Sequence, residues 1–323
     1  MTIARRPVLR LLAAAVAMAA ASSGAFAQSD YPNRPVKIIV PFAAGGPADN
    51  FARVIAQHLG DALKQPFVVD DRPGAGSVIG TDAVAKSPAD GYTLLLMSNT
   101  HTVNETLVPN KPFKLMTDFV GVAPINSSDL MLVVHPSVPA KTLPELIALA
   151  KSRPGKMNYA SSGTGTPYHM AGELFKHLAG VDIVHVPYKG SSSARTDVMG
   201  GQVDMMFDAV TTMAPVAKEG KVRALATTGL QRTSDLPTVA ETVPGYEATI
   251  WLGLMAPKGT PQAIVDKLNA EVRKIVARPD VKAAWAKQGA VPMSMSPSEF
   301  TAYLNKDIAK WGAIVKASGM KPE

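Results

Sequence analysis

The sequence predicts an α/β fold in two lobes, and three observations carry that expectation. Short apolar, β-branched stretches alternate with helical ones along the chain. One unit, strand then glycine-rich loop then helix, occurs twice, over 36–55 and again over 158–178. Between the two units, residues 118–136 (DFVGVAPINSSDLMLVVHP) read as two apolar strands with Asn126, Ser127 and Ser128 between them, the expected crossing from one lobe to the other.

Residues 1–27 read as a leader. Arg5, Arg6 and Arg10 precede an apolar run over 11–21, and Ala25-Phe26-Ala27 is a small-x-small cleavage signal. The run is too short for the ~20 residues that span a bilayer. Export with cleavage near Ala27 is expected, and Arg5-Arg6 leaves the general or twin-arginine route open. The absence of cysteine among 323 residues excludes disulfides, thiolate catalysis, cysteine-held zinc and a lipidated cysteine. With no further long apolar run, a soluble periplasmic protein follows. Three of the charges behind the net +7 lie in the leader, leaving +4 on the remaining chain. Its lysines and acids are interspersed, so no nucleic-acid partner is expected.

Residues 36–40 (VKIIV) predict a buried strand, which Pro41, Gly45, Gly46 and Pro47 break. Beyond them Phe51, Val54, Ile55 and Leu59 share one helical face. Such a loop leaves N–H groups unpaired at a helix start, where partial positive charge favours an anion. Residues 66–70 predict the second strand. The following Gly74, Gly76 and Gly80 have G-x-G-x-x-x-G spacing, headed by Pro73 and after the wrong strand for a dinucleotide site, so they predict a close-packing turn. Residues 92–97 predict a buried strand. Ser98, Asn99, Thr100 and His101 follow at its C-terminal end, where open α/β sheets bind ligands, so Thr100 is a candidate. His101 reads as a hydrogen-bonded loop histidine before it reads as catalytic.

A helix over 143–150 leads to the second unit, whose loop carries Gly163 and Gly165 among hydroxyls and whose helix aligns Leu174, Phe175 and Leu178. Strands over 184–189, 203–207 and 222–226 alternate with helices over 191–200 and 213–218, and Asp208 ends the middle strand. An apolar run over 247–255 returns the chain to the first lobe. Helices over 261–277, 281–288 and 298–318 complete it, with Pro279 and Pro297 at breaks. Lobe one is then 28–125 with 248–323, and lobe two is 126–247.

No G-x-S-x-G, H-E-x-x-H or G-x-x-x-x-G-K-[ST] occurs. His177 and His185 have no acid at ligand spacing, so neither metal nor cofactor is expected. An exported hydrolase stays as an alternative because triads are assembled in space.

The segments PFAAGGPADNFAR, DRPGAGSVIG, ADGYTLLLMS, SSGTGTPYHMAGELF, VPYKGSSSARTDVMGGQVDMMFD and VPGYEATIWLGLMAPKGTP together resemble the Bug/TctC solute receptors of tripartite tricarboxylate transporters. They do so in order over nearly the whole chain after the leader. The resemblance implies a type II-like, Venus-flytrap periplasmic binding protein, each lobe a mixed sheet flanked by helices. It implies closure on a small carboxylate, whether a di- or tricarboxylate, an amino acid or an aromatic acid, and delivery to membrane permease subunits. A monomer is expected, and a ligand sensor for a two-component kinase is the variant reading. Carried over by position, the implied contacts are Phe42, Ala44, Gly45, Gly46 and Asp49 in the first loop. The second loop supplies Ser161, Gly163, Thr164, Thr166 and His169, and Asp208 adds a cleft acid. Asp49 reads either as a helix cap or as a ligand-facing acid that would draw an ammonium group. Neither loop holds a lysine or arginine, so N–H groups, hydroxyls and water must balance a ligand's charge.

Overall fold

The computed structural model describes residues 31–232 and 235–320; the leader and its cleavage site lie outside them. The first part runs β1 (Val36–Val40), α1 (Pro47–Leu63), β2 (Phe67–Asp71), α2 (Val78–Ala85), β3 (Thr93–Ser98), α3 (Asn99–Leu107) and the short α4 (Leu115–Asp118). The crossing strand is β4 (Phe119–Val134). Next come α5 (Leu143–Ser152), β5 (Asn158–Ser161), α6 (Pro167–Ala179), β6 (Val184–Pro187), α7 (Ser191–Met199), β7 (Met205–Ala209), α8 (Val210–Lys218) and β8 (Arg223–Thr227). The return is β9 (Thr249–Pro257), followed by α9 (Gln262–Ala277), α10 (Pro279–Ala286), β10 (Ala290–Pro292) and α11 (Pro297–Ala317).

All ten strands join one mixed sheet in the order β2-β1-β3-β9-β4-β7-β5-β6, with β8 and β10 also on β4. The expected pair of strands over 118–136 is a single strand of 16 residues. Asn126, Ser127 and Ser128 do not break it, because each is paired on both flanks: with Leu252, Trp251 and Ile250 of β9, and with Pro292, Val291 and Ala290 of β10. Backbone pairing on two sides outweighs the turn preference of Asn-Ser-Ser. Register shifts near Gly121 and Pro124 bend β4, so its first half serves one lobe and its second half pairs β7 and β8 of the other.

Each lobe has its own core. Ile38, Val40, Phe51, Leu94, Leu254 and Leu268 pack in the first, and Leu132, Tyr159, Phe175, Phe207 and Tyr246 in the second. Helix α11 contributes to both sides. Its Phe300 and Leu304 pack on Trp251, whereas Trp311 and Val315 join the second lobe's core.

Candidate functional site

Five helices begin at one cavity of about 240 Å³. From the first lobe, α1 presents Gly46, Pro47 and Ala48, and α3 presents its cap Ser98 and Thr100. From the second, α6 presents Thr166, Pro167 and Tyr168, α7 presents Gly190 and Ser191, and α8 presents Ala209 and Thr211. The sequence dictates these ends: Pro at the first helical position of α1 and α6 fixes a helical φ where no donor is lost. Helices α1, α7 and α8 start without a side-chain cap, so their first-turn N–H groups stay available. Phe42, Phe51, Ile250 and Leu252 supply apolar wall.

Thr100 carries the most direct polar signal. It is 2 % exposed, and its Oγ1 has no hydrogen-bond partner among the described residues. A buried hydroxyl left in that state costs about 1–3 kcal/mol, which a ligand acceptor would recover. Among the described residues no Asp or Glu lines the cavity, and Lys189 is the one charged lining residue.

Behind Thr100, His101 fixes the wall. The Ser98 N–H donates to its Nδ1 at 3.1 Å, and Thr81 Oγ1 lies 3.0 Å from its Nε2. Thr81 spends its own proton on the Ser77 carbonyl, which assigns the Nε2–H tautomer to His101. Burial lowers the His101 pKa to about 4 and keeps the ring neutral. Its ring meets Phe42 edge-on at 6.0 Å. His101 is thus the hydrogen-bonded histidine its sequence context predicts, placed in a capping box.

A family model for the tripartite tricarboxylate transporter family receptor matches residues 51–320. Protein BugT of Bordetella pertussis is 39% identical, over 90% of this chain and 91% of its own. The chain belongs to this receptor family. A Rhodopseudomonas palustris protein solved with adipate superposes with a TM-score of 0.84 at 36% identity, covering 91% of this chain and 100% of that one. The periplasmic binding protein BugD superposes with a TM-score of 0.81 at 34% identity, covering 91% of this chain and 100% of that one. The two-lobed α/β fold is therefore that of periplasmic solute-binding receptors, which are not enzymes.

Of the receptor's sequence-predicted residues, Phe42, Gly46, Thr100 and Thr166 line the cavity. Asp49 does not. Its Oδ2 accepts the Gly45 N–H at 2.7 Å and fixes a turn with φ of +74°. Its Oδ1 lies 2.7 Å from Arg53 Nε, a charge contact too poorly aligned to be a directional hydrogen bond. Arg53 also meets Asp71, so this cation just beyond the loop is already occupied. Ala44 and Gly45 are exposed and do not line the cavity.

The second loop divides similarly. Ser161 is fully buried, with its Oγ 2.6 Å from His185 Nε2 and accepting the Gly163 N–H at 3.1 Å. Neither Ser161 nor His185 lines the cavity, and their contact shapes the loop. Gly163 takes Thr166 Oγ1 on its carbonyl at 2.7 Å. His169 Nδ1 accepts the Gly165 N–H at 3.0 Å, and its ring stacks on His185 at 3.8 Å. Burial first, with Lys176 adding, lowers the His169 pKa to about 4, and burial first, with His169 adding, lowers that of His185 to about 3. Thr164 faces a different groove, against Ala75, Gly76 and Asn104. Asp208 lies beneath the α8 start, bound to Arg195 Nε at 2.7 Å; burial raises its pKa and Arg195 opposes the rise.

Ser98, read with Thr100 at the end of its strand, also lines the cavity, whereas sequence reasoning missed Ser128, Ser162, Lys189, Ser191 and Thr211. Lys189, Ser191 and Thr211 had a usable signal: they follow the C-terminal ends of parallel strands β6 and β7, where open sheets bind ligands. Among the described residues no group of three His, Asp or Glu could hold a metal ion.

Proposed function

We propose that this receptor closes its lobes on a small carboxylate in the periplasm, after leader cleavage near Ala27. As a monomer it then delivers the ligand to the membrane permease subunits of a tripartite tricarboxylate transporter. The observation that carries the reading is the Thr100 hydroxyl, buried without a partner among converging helix starts. The R. palustris protein solved with adipate supports it. The lobes in this reading are 28–125 with 248–323 and 126–247, and closure bends β4 and β9 where they cross. Phe42, Gly46, Thr100 and Thr166 touch ligand. Asp49, Ser161, Gly163, His169 and Asp208 hold the loops that do.

Magnitudes agree with a modest binder. Micromolar affinity needs about 8 kcal/mol. Five helix starts at roughly 0.3–1 kcal/mol each supply a part, and two or three charge-assisted hydrogen bonds at about 1.5–3 kcal/mol supply the rest. An ammonium group finds no acid in the cavity, because Asp49 and Asp208 are committed to Arg53 and Arg195. Plain acids therefore bind better than amino acids.

Calorimetric titration of Thr100→Val with adipate tests the site. The variant keeps shape and loses the hydroxyl, so affinity falls about tenfold, the worth of one such hydrogen bond. Unchanged affinity with an unchanged fold would remove Thr100 from the site.

A further inference from the structure

The first turn of α3 is polar and buried throughout, with Asn99, Thr100, His101 and Thr102 in succession. Such a helix start has no apolar stripe to seat it, so the partners of its side chains decide where it sits. Asn99 Nδ2 donates to the Thr249 carbonyl of β9 at 2.9 Å, and His101 Nε2 lies 3.0 Å from Thr81 Oγ1 of α2. Thr102 gives its one proton to Asp307 Oδ2 of α11 at 2.6 Å. This is the shorter and charge-assisted of its two contacts, the other being the Asn99 carbonyl at 2.8 Å. Thr100 alone of the four has no side-chain partner among the described residues, and it alone lines the cavity. Three elements grip the turn and leave its fourth side chain to the ligand.

Asp307 is the charged member of that grip. Its buried carboxylate also takes the indole N–H of Trp251 from β9 and of Trp311 from its own helix. Three donors from three elements converge on one carboxylate, which fixes it in place. About one turn further along, a Cβ on Gly312 of α11 would stand 2.9 Å from Thr106 Oγ1 of α3. The two helices are therefore packed with little room to slide. Asp307 itself does not line the cavity.

We propose that Asp307 is a positioning residue for the ligand: through Thr102 it seats the start of α3 and so aims the Thr100 hydroxyl into the cavity. The proposal rests on the carboxylate reading above and adds what holds its donor in line. A hydroxyl turned off line forfeits most of a hydrogen bond, because the interaction weakens steeply with angle. Binding therefore depends on a carboxylate that never meets the ligand.

The test is a double-mutant cycle read by calorimetry on the full chain after the leader. The probe is whichever of adipate, succinate and benzoate the wild type binds most tightly. Thr102→Val keeps the shape and frees α3 from Asp307, and affinity falls about fivefold or more. Thr102→Ser restores the hydroxyl and returns affinity to within about twofold of the wild type. On a Thr100→Val background, Thr102→Val adds less than about twofold, because the hydroxyl it aims is gone. Asp307→Ala loses at least as much affinity as Thr102→Val, with the same dependence on Thr100; should it fail to fold, the Thr102 variants decide alone. A merely structural contact would lower the urea midpoint and leave affinity unmoved, or add its loss in full to that of Thr100→Val. Either result would overturn the assignment of Asp307. If Thr100→Val itself leaves affinity unchanged, Thr100 is not a contact and the proposal falls with it. If the wild type binds none of the three acids, the carboxylate reading fails, an outcome separate from any difference between variants.

Discussion

Asp49 shows how a residue expected at the site can lie in the expected loop and face other partners. Its place in the first turn of α1 was legible, but its partners were not, since the Gly45 turn and the side of the helix taken by Arg53 are fixed only by folding. Asp49→Asn keeps one acceptor and loses the contact with the exposed Arg53, so we expect a modestly lower thermal stability, with adipate affinity changed far less than in Thr100→Val. Thermal unfolding beside calorimetry checks this; a large affinity loss at unchanged stability would contradict it. Phe42, Gly46, Thr100 and Thr166 were legible because strand ends and proline-started helices announce themselves in one dimension. Lys189 was missed because residues 184–189 read as one strand, whereas β6 ends at Pro187 and leaves Lys189 just beyond it. The buried histidines give a pH dependence with a defined sign. His101 and His169 titrate near 4 and His185 near 3 in the fold, against about 6.5 in an unfolded chain. Below about 6.5 the unfolded chain binds more protons, so stability is complete above that pH and falls as pH drops toward 4. Urea midpoints at pH 7.5 and pH 5 should differ, with the lower value at pH 5; equal midpoints would mean that the rings are not held neutral.

Among the elements, most strands and helices were legible from period and punctuation, and the misses have physical causes. Helix α3 was read as polar residues at a strand end, because its first turn carries Asn99, Thr100 and His101 in place of an apolar stripe. The strand β10 has three residues, too few for a pattern, and exists because β4 offers a free flank. Asn126-Ser127-Ser128 imitated a turn and proved to be a doubly paired stretch of strand. Helix α6 packs close against β5 because Gly172 has no side chain. A Cβ there would stand 2.2 Å from Tyr159 Cε2. Tyr159 cannot withdraw easily, since its hydroxyl donates to Glu173 at 2.6 Å. Gly172→Ala should therefore cost about 1–3 kcal/mol despite the better helix propensity of alanine. Denaturant unfolding reads it, and a neutral or stabilised variant would show that α6 can move off the sheet.

For the whole molecule, the link between lobes is a pair of antiparallel strands backed by α11. Asp307 of that helix accepts from Thr102 at 2.6 Å, Trp251 Nε1 at 3.1 Å and Trp311 Nε1 at 3.2 Å, which ties α3 and β9 to the helix that enters both cores. A link of this kind permits bending of β4 and β9 while the lobe cores stay intact. Small-angle scattering with and without adipate should show a smaller radius of gyration in the bound form. The central claim is that converging helix starts hold a charged acid, and one comparison tests it most directly: calorimetric titration with adipate and with adipamide, its neutral diamide of the same length. Adipate should bind in the micromolar range, and adipamide about a hundredfold or more weaker, the worth of about 2.7 kcal/mol of charge recognition. Equal affinity for the two would contradict the account.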